Sequence, residues 1–116
     1  MSRIVRTQAN QVLSQAVEYH GFIYTAGVVA QNPEGDITAQ VKDVLAQIDA
    51  LLETHGTDNT RLLTAQIWLK DIADRAALNE VWIKWLPEGG APARATVQAV
   101  LADPRYLVEI QITATR

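Results

Sequence analysis

The chain has 116 residues, 48% of them apolar and 20% charged, with a net charge of −3 and no cysteine. That length supports one hydrophobic core rather than two, so a single domain over residues 1–116 is expected. The missing cysteines exclude disulfides, thiolate catalysis and cysteine-rich zinc sites, and an acidic balance without a basic run argues against nucleic acid as the partner.

In chain order, MSRIVRTQANQ has no apolar h-region, so no signal peptide is expected. No apolar run approaches the ~20 residues of a membrane span. The expectation is a cytoplasmic protein without membrane association. Ile4 to Gln8 reads as a first short strand. Ser14 to Tyr19 and Phe22 to Thr25 flank His20-Gly21, a hairpin turn. Gly27 then marks a bulge or a close approach by another group, and Gln31 to Gly35 is a loop. Asp36 is a helix N-cap, followed by Val41, Val44, Leu45, Ile48, Leu51 and Leu52 at helical spacing, with Gly56 ending the helix near His55.

Leu62 to Leu69 is a strand with Leu63, Ala65, Ile67 and Leu69 on one side and Thr64, Gln66 and Trp68 on the other. Asp71 or Asp74 caps a second helix carrying Ala77, Leu78, Val81, Trp82 and Trp85, which Pro87 and Gly89-Gly90 stop. The stretch from Ala91 to Ile110 reads as two strands joined by a tight turn at Asp103-Pro104. Ala95, Val97 and Ala99, then Val108, Ile110 and Ile112, form the apolar sets. Arg94, Thr96 and Gln98, then Glu109, Gln111 and Thr113, form the opposite sets.

The order βββαβαββ predicts an α+β domain, one sheet with two helices on one face. The apolar sets suit the covered face. The other face would carry Arg94 and Glu109 together, among Thr64, Gln66 and Trp68, and a mixed face of this kind is commonly closed by another subunit. A homo-oligomer follows, with the Arg94/Glu109 pair in or beside the interface.

Arginine's planar fork grips a carboxylate bidentately, and a partly buried glutamate can activate water, so this pair is the candidate for chemistry. Each residue also has a plain structural reading: Arg94 as a salt bridge across an interface, Glu109 as a solvated outward residue. Asn79 lies mid-helix, as an exposed or capping side chain or as part of a cleft. The three tryptophans read as core and interface anchors. His20 and His55 stand far apart, so no metal site is expected, Ser14 lacks partners for a serine hydrolase, and no Gly-rich phosphate motif occurs.

APARATV followed by VEI, with glutamate 15 positions after arginine, resembles the signature of the RidA (YjgF-type) reactive-intermediate deaminases. SQAVEYHGFIYTAG is similar to that family's N-terminal hairpin, and WLKDIAD with Asn79 to its central segment. The short WIKWLPEGGAPAR connection looks most like the small YoaB-like branch. The resemblance implies a chorismate-mutase-like fold, a homotrimer with three intersubunit clefts, and hydrolysis of enamines and 2-imino acids to 2-oxo acids and ammonia, without metal or organic cofactor. By position, Arg94 would grip the substrate carboxylate and Glu109 would handle the attacking water. The backbone at Ala26 and Gly27 would contact substrate, and Asn79, Thr96 and Leu13 would line the cleft. Leu13 stands where the founding enzymes have tyrosine, and Thr96 where they usually have cysteine, which bears on substrate identity. A second function fits the same cleft: a non-catalytic trimer that binds a small carboxylate metabolite as a sensor or regulator.

Overall fold

The computed structural model describes residues 3–116. It contains β1 (Val5–Thr7), β2 (Ala16–Tyr19), β3 (Phe22–Thr25), α1 (Ile37–Thr54), β4 (Leu62–Leu69), α2 (Arg75–Trp85), β5 (Ala93–Gln98) and β6 (Val108–Thr115), with 3-10 turns at Asn59–Arg61 and Ile72–Asp74. The six strands form one sheet in the order β1-β2-β3-β6-β4-β5. Only β4 and β5 are parallel. The expected order βββαβαββ and the two helices on one face are therefore the architecture found.

Local chemistry explains the boundaries. His20 and Gly21 take φ of 52° and 81°, the paired left-handed conformation that a two-residue hairpin requires. The Asp36 carboxylate accepts from the Ala39 amide at 2.9 Å, capping α1, and Gly56 at φ 73° ends it. At the second helix, Asp71 caps the preceding 3-10 turn through the Ala73 amide at 2.9 Å, whereas Asp74 makes no side-chain cap bond.

The core lies between the helices and one sheet face. Val41, Val44, Ile48 and Leu52 from α1, with Leu78 and Trp82 from α2, pack on Ala65, Ile67, Leu69, Val108, Ile110, Ile112 and Ala114. One sheet and one helix layer, each about 10 Å thick, account for a shortest dimension of 20 Å. The second sheet face has no cover. Tyr19, Phe22, Tyr24 and Val97 are exposed large apolar residues on it.

Three expectations are corrected. First, β5 and β6 are not a hairpin, because β4 lies between them. The helical crossover through α2 sets β5 parallel beside β4, and the last strand then pairs antiparallel along β4's other edge. A turn does form at Asp103, whose carbonyl accepts from the Tyr106 amide at 3.0 Å, but within the connection between the strands.

Second, the faces of β5 are reversed. Arg94 pairs with Ala65 and Thr96 with Ile67, both under the helices, while Ala95 and Val97 are exposed on the open face. The alternating pattern was clear, but at an edge strand small residues are tolerated outside, and the stems of arginine and threonine can lie beneath a helix. Third, Leu63 does not join the covered set. A register shift between Leu62 and Thr64 leaves it 40% exposed.

Candidate functional site

Glu109 and Gly27 are brought together by an interruption in the sheet. β3 pairs with β6 as far as Tyr24 opposite Thr113. There the chain leaves the ladder, and the buried Thr25 hydroxyl takes over, accepting from the Ile112 amide at 3.0 Å and donating to the Ala26 carbonyl at 2.8 Å. Pairing resumes at Val28 opposite Ile110. The detour lays Gly27 against Glu109: a Cβ added there would overlap the Glu109 Oε2 and lie 2.9 Å from its Cδ. Glycine at this position makes room for the carboxylate, the close approach expected from the sequence.

Glu109 is half-buried on the open face, directly opposite Trp68 of β4. Ala26 donates its amide to the Gln15 carbonyl at 2.8 Å, tying the detour to the start of β2. Leu13 lies two residues before that contact. Asn10 holds it by accepting from the amides of Val12 and Leu13 at 2.7 and 2.9 Å, and its side chain is exposed.

Arg94 occupies the other side of the sheet. Its guanidinium carbon stands 5.5 Å from the centre of the Trp82 ring, a cation–π arrangement. Among the described residues it has no carboxylate partner. Burial, and secondarily the positive charge of Arg75, lower its pKa from the ordinary arginine value, although a guanidinium stays charged at neutral pH. Two residues further along β5, the Thr96 hydroxyl is buried without a hydrogen-bond partner. Asn79, half-buried on α2, lies three residues before Trp82 on the same helical stripe.

Arg94 and Glu109 consequently do not share a face within one chain, contrary to the sequence expectation. Arg94 aligns with Ala65, and Glu109 with Trp68, on strands separated by β4. Two strand spacings and three residue rises put their backbones about 14 Å apart, with side chains on opposite sides. Gly27, Ala26 and Glu109 lie together at the interruption beside β6. Arg94 and Thr96 lie on the other side of the sheet, where α2, which carries Asn79, packs. A concavity of about 430 Å³ adjoins Gly27, with Gln15, Val29, Gln47 and Tyr106 among its walls, but neither Arg94 nor Glu109 lines it.

Sequence reasoning missed two groupings. Arg75 adds its positive charge to the surroundings of Arg94, and its place at i−4 from Asn79 and i−7 from Trp82 is a signal legible in the sequence. His55, buried at the end of α1, lies 2.8 Å from both the Glu18 carboxylate and the Thr7 hydroxyl, and Glu18 also pairs with Arg116 at 3.1 Å. No spacing announces contacts between residues 37 and 48 apart in the chain. This network fastens the edge strand β1 and the C-terminus to the helix end.

The profile of the family described as "Endoribonuclease L-PSP" matches residues 3–116. The "RutC family protein YoaB" of Escherichia coli K12 is 43% identical over 111 residues, 96% of each chain. Among solved structures, NMB1025 of Neisseria meningitidis, "a member of YjgF protein family", is 42% identical with a TM-score of 0.93, covering 98% of this chain and 95% of that one. An uncharacterized protein from Pseudomonas aeruginosa is 38% identical with a TM-score of 0.96, covering 98% and 99%. The chain belongs to the RidA (YjgF-type) family, and its similarity extends to the YoaB-like branch.

Proposed function

We propose that the protein is a hydrolase of small 2-enamino and 2-imino acids, working in clefts between the subunits of a homotrimer. The observation that carries this reading is the Arg94 guanidinium, half-buried over Trp82 without a carboxylate among the described residues. A cation held this way is ready for an external carboxylate, and its rigid fork fixes the substrate's plane as well as its charge.

The opposed faces supply the argument for assembly. The Glu109–Gly27 half-site lies on the open, apolar-studded sheet face, and the Arg94 half-site lies on the helix side of the edge strand β5. One chain cannot bring the two to a single small molecule. A second copy, docked by its β5 edge against the open face of the first, can set its Arg94 opposite the first copy's Glu109.

In that cleft the chemistry is short. The 2-enamine tautomerises to the 2-imine, whose carboxylate Arg94 holds. Glu109 polarises a water, which adds through oxygen to the imine carbon while the imine nitrogen takes up a proton. The resulting carbinolamine collapses, its C–N bond breaking as ammonia leaves and a 2-oxo acid forms. Such imines hydrolyse unaided in water, so the acceleration required is modest, and positioning plus one general base can meet it.

The test couples an amino-acid oxidase to semicarbazide trapping, with wild-type protein, Glu109→Gln and Arg94→Ala. Wild-type protein is expected to suppress trapping. Glu109→Gln should lose about 10²-fold or more in turnover while still binding a 2-oxo acid, and Arg94→Ala should lose both. If Glu109→Gln binds normally and wild-type protein never suppresses trapping, the same cleft serves a non-catalytic binder of a carboxylate metabolite, and the enzyme reading fails.

A further inference from the structure

Arg94 does not stand alone. α2 begins at Arg75, and positions 75, 79 and 82 fall on one stripe of that helix, the stripe that meets Arg94 through Trp82. Arg75 is exposed at the start of this stripe, one helical turn, about 5.4 Å, before Asn79. Side chains on a helix lean toward its N-terminus, so Trp82 and Asn79 reach back toward Arg75. The positive charge of Arg75 adds, after burial, to the lowering of the Arg94 pKa.

Neither guanidinium has an ion-pair partner among the described residues, and the adjacent Asp74 makes no salt bridge with Arg75. Protein surfaces commonly interleave opposite charges. Two cations without protein carboxylates, one at the start of the Arg75–Asn79–Trp82 stripe and one over the Trp82 ring at its end, form an arrangement that an anion completes. One carboxylate satisfies one fork. The second cation, displaced along the helix, matches a second negative group on the same small molecule.

We propose that Arg75 is a specificity-determining residue that selects substrates carrying a second anionic group on the side chain, such as 2-imino dicarboxylates, over monocarboxylic imines. The inference rests on the imine-hydrolase reading for its chemistry but on Arg75 and Arg94 alone for its charge preference. Arg75 would hold the distal anion while Arg94 holds the carboxylate beside the imine carbon.

Two measurements test it. In the first, kcat/KM is compared for imines generated enzymatically from aspartate and from alanine, with wild-type protein, Arg75→Gln and Arg75→Lys. The aspartate-to-alanine ratio should exceed 10 for wild-type protein, fall about tenfold in Arg75→Gln through KM rather than kcat, and recover largely in Arg75→Lys. In the second, calorimetry compares succinate, 3-phosphonopropionate and propionate. Both dianions should bind wild-type protein at least tenfold more tightly than propionate, with the advantage shrinking in Arg75→Gln and at high salt. Comparing the two dianions tells a carboxylate from a phosphonate preference. A wild-type ratio near one, or a ratio that Arg75→Gln leaves unchanged, overturns the proposal. If dianions bind preferentially and no imine is turned over, the hydrolase reading fails and this inference stands. If alanine's imine is hydrolysed without any dianion preference, the reverse holds.

Discussion

At the scale of single residues, the contact between Gly27 and Glu109 has the clearest consequence. A methyl group at position 27 meets the tip of a flexible carboxylate rather than backbone, so the side chain can swing away without disturbing the core. Gly27→Ala is therefore expected to fold with a melting temperature within a few degrees of wild type. Because Glu109 is moved off its position over Gly27, imine hydrolysis should fall at least tenfold, since small displacements of a catalytic group are costly. Parallel calorimetric unfolding and trapping assays check it, and an equal loss of stability and activity would show that Gly27 serves the fold instead. The close approach at Gly27 was legible from a glycine at the end of a strand. That Arg94 and Glu109 lie on opposite faces was not, because alternation along each strand says which residues share a face locally but nothing about how two strands' faces are related.

At the scale of elements, the loop after Gly27 is held by α1 rather than by the sheet. Asp43 accepts from the Gln31 amide at 3.0 Å, the Asn32 amide at 3.1 Å and the Gln47 amide group at 2.7 Å, and Gln47 also donates to the Val29 carbonyl at 2.8 Å. Burial works to raise the Asp43 pKa, but these donors outweigh it and bring it below 3.8. A depressed carboxylate adds stability that is complete above its unfolded value and lost as pH falls through its lower folded value. Asp43→Asn should thus cost about 1–2 kcal/mol at neutral pH, with the gap to wild type closing below about pH 3.8. Urea unfolding between pH 3 and 7 reads this, and a gap independent of pH would remove the charge from the explanation. Asp49 acts with the opposite sign. Burial raises its pKa despite the Trp85 indole bonds at 3.0 and 3.1 Å, so its contribution fades as pH rises.

Gln40 makes a second such joint. Fully buried, it donates to the carbonyls of Pro33, Gly35 and Arg105 and accepts from the Leu107 amide at 2.9 Å. It pins the connection leading into β6 to the start of α1 and so sets where Glu109 enters the sheet. The helical pattern of α1 marked position 40 only as polar. Its pairing with residues 65 positions away needed the folded chain.

At the scale of the whole molecule, a flat two-layer body leaves one sheet face without cover. Tyr19, Phe22, Tyr24 and Val97 are each 42–47% exposed there. An exposed apolar set of this extent points to association. Val97→Glu, on the open side of the edge strand, places a charge in the proposed interface but away from the core. It should give a folded species of 12.8 kDa by sedimentation, where wild-type protein is expected at three times that mass. Hydrolysis should vanish with the assembly if the proposed cleft draws Arg94 and Glu109 from different copies. A Val97→Glu trimer with full activity would place the interface elsewhere.

The elements, their order and the family were legible in the linear chain, because hairpin turns, caps and hydrophobic periodicity are written in residues close together along it. It also singled out Arg94 and Glu109 through a local block of residues. The folded chain was needed to see that β4 separates the last two strands, that Arg94 turns toward Trp82 while Glu109 turns toward Gly27, and that Thr7, Glu18 and His55 meet. These relations join distant parts of the chain. They are set by which crossover fits a twisted sheet and which long side chains can lie beneath a helix, and no short-range pattern encodes either.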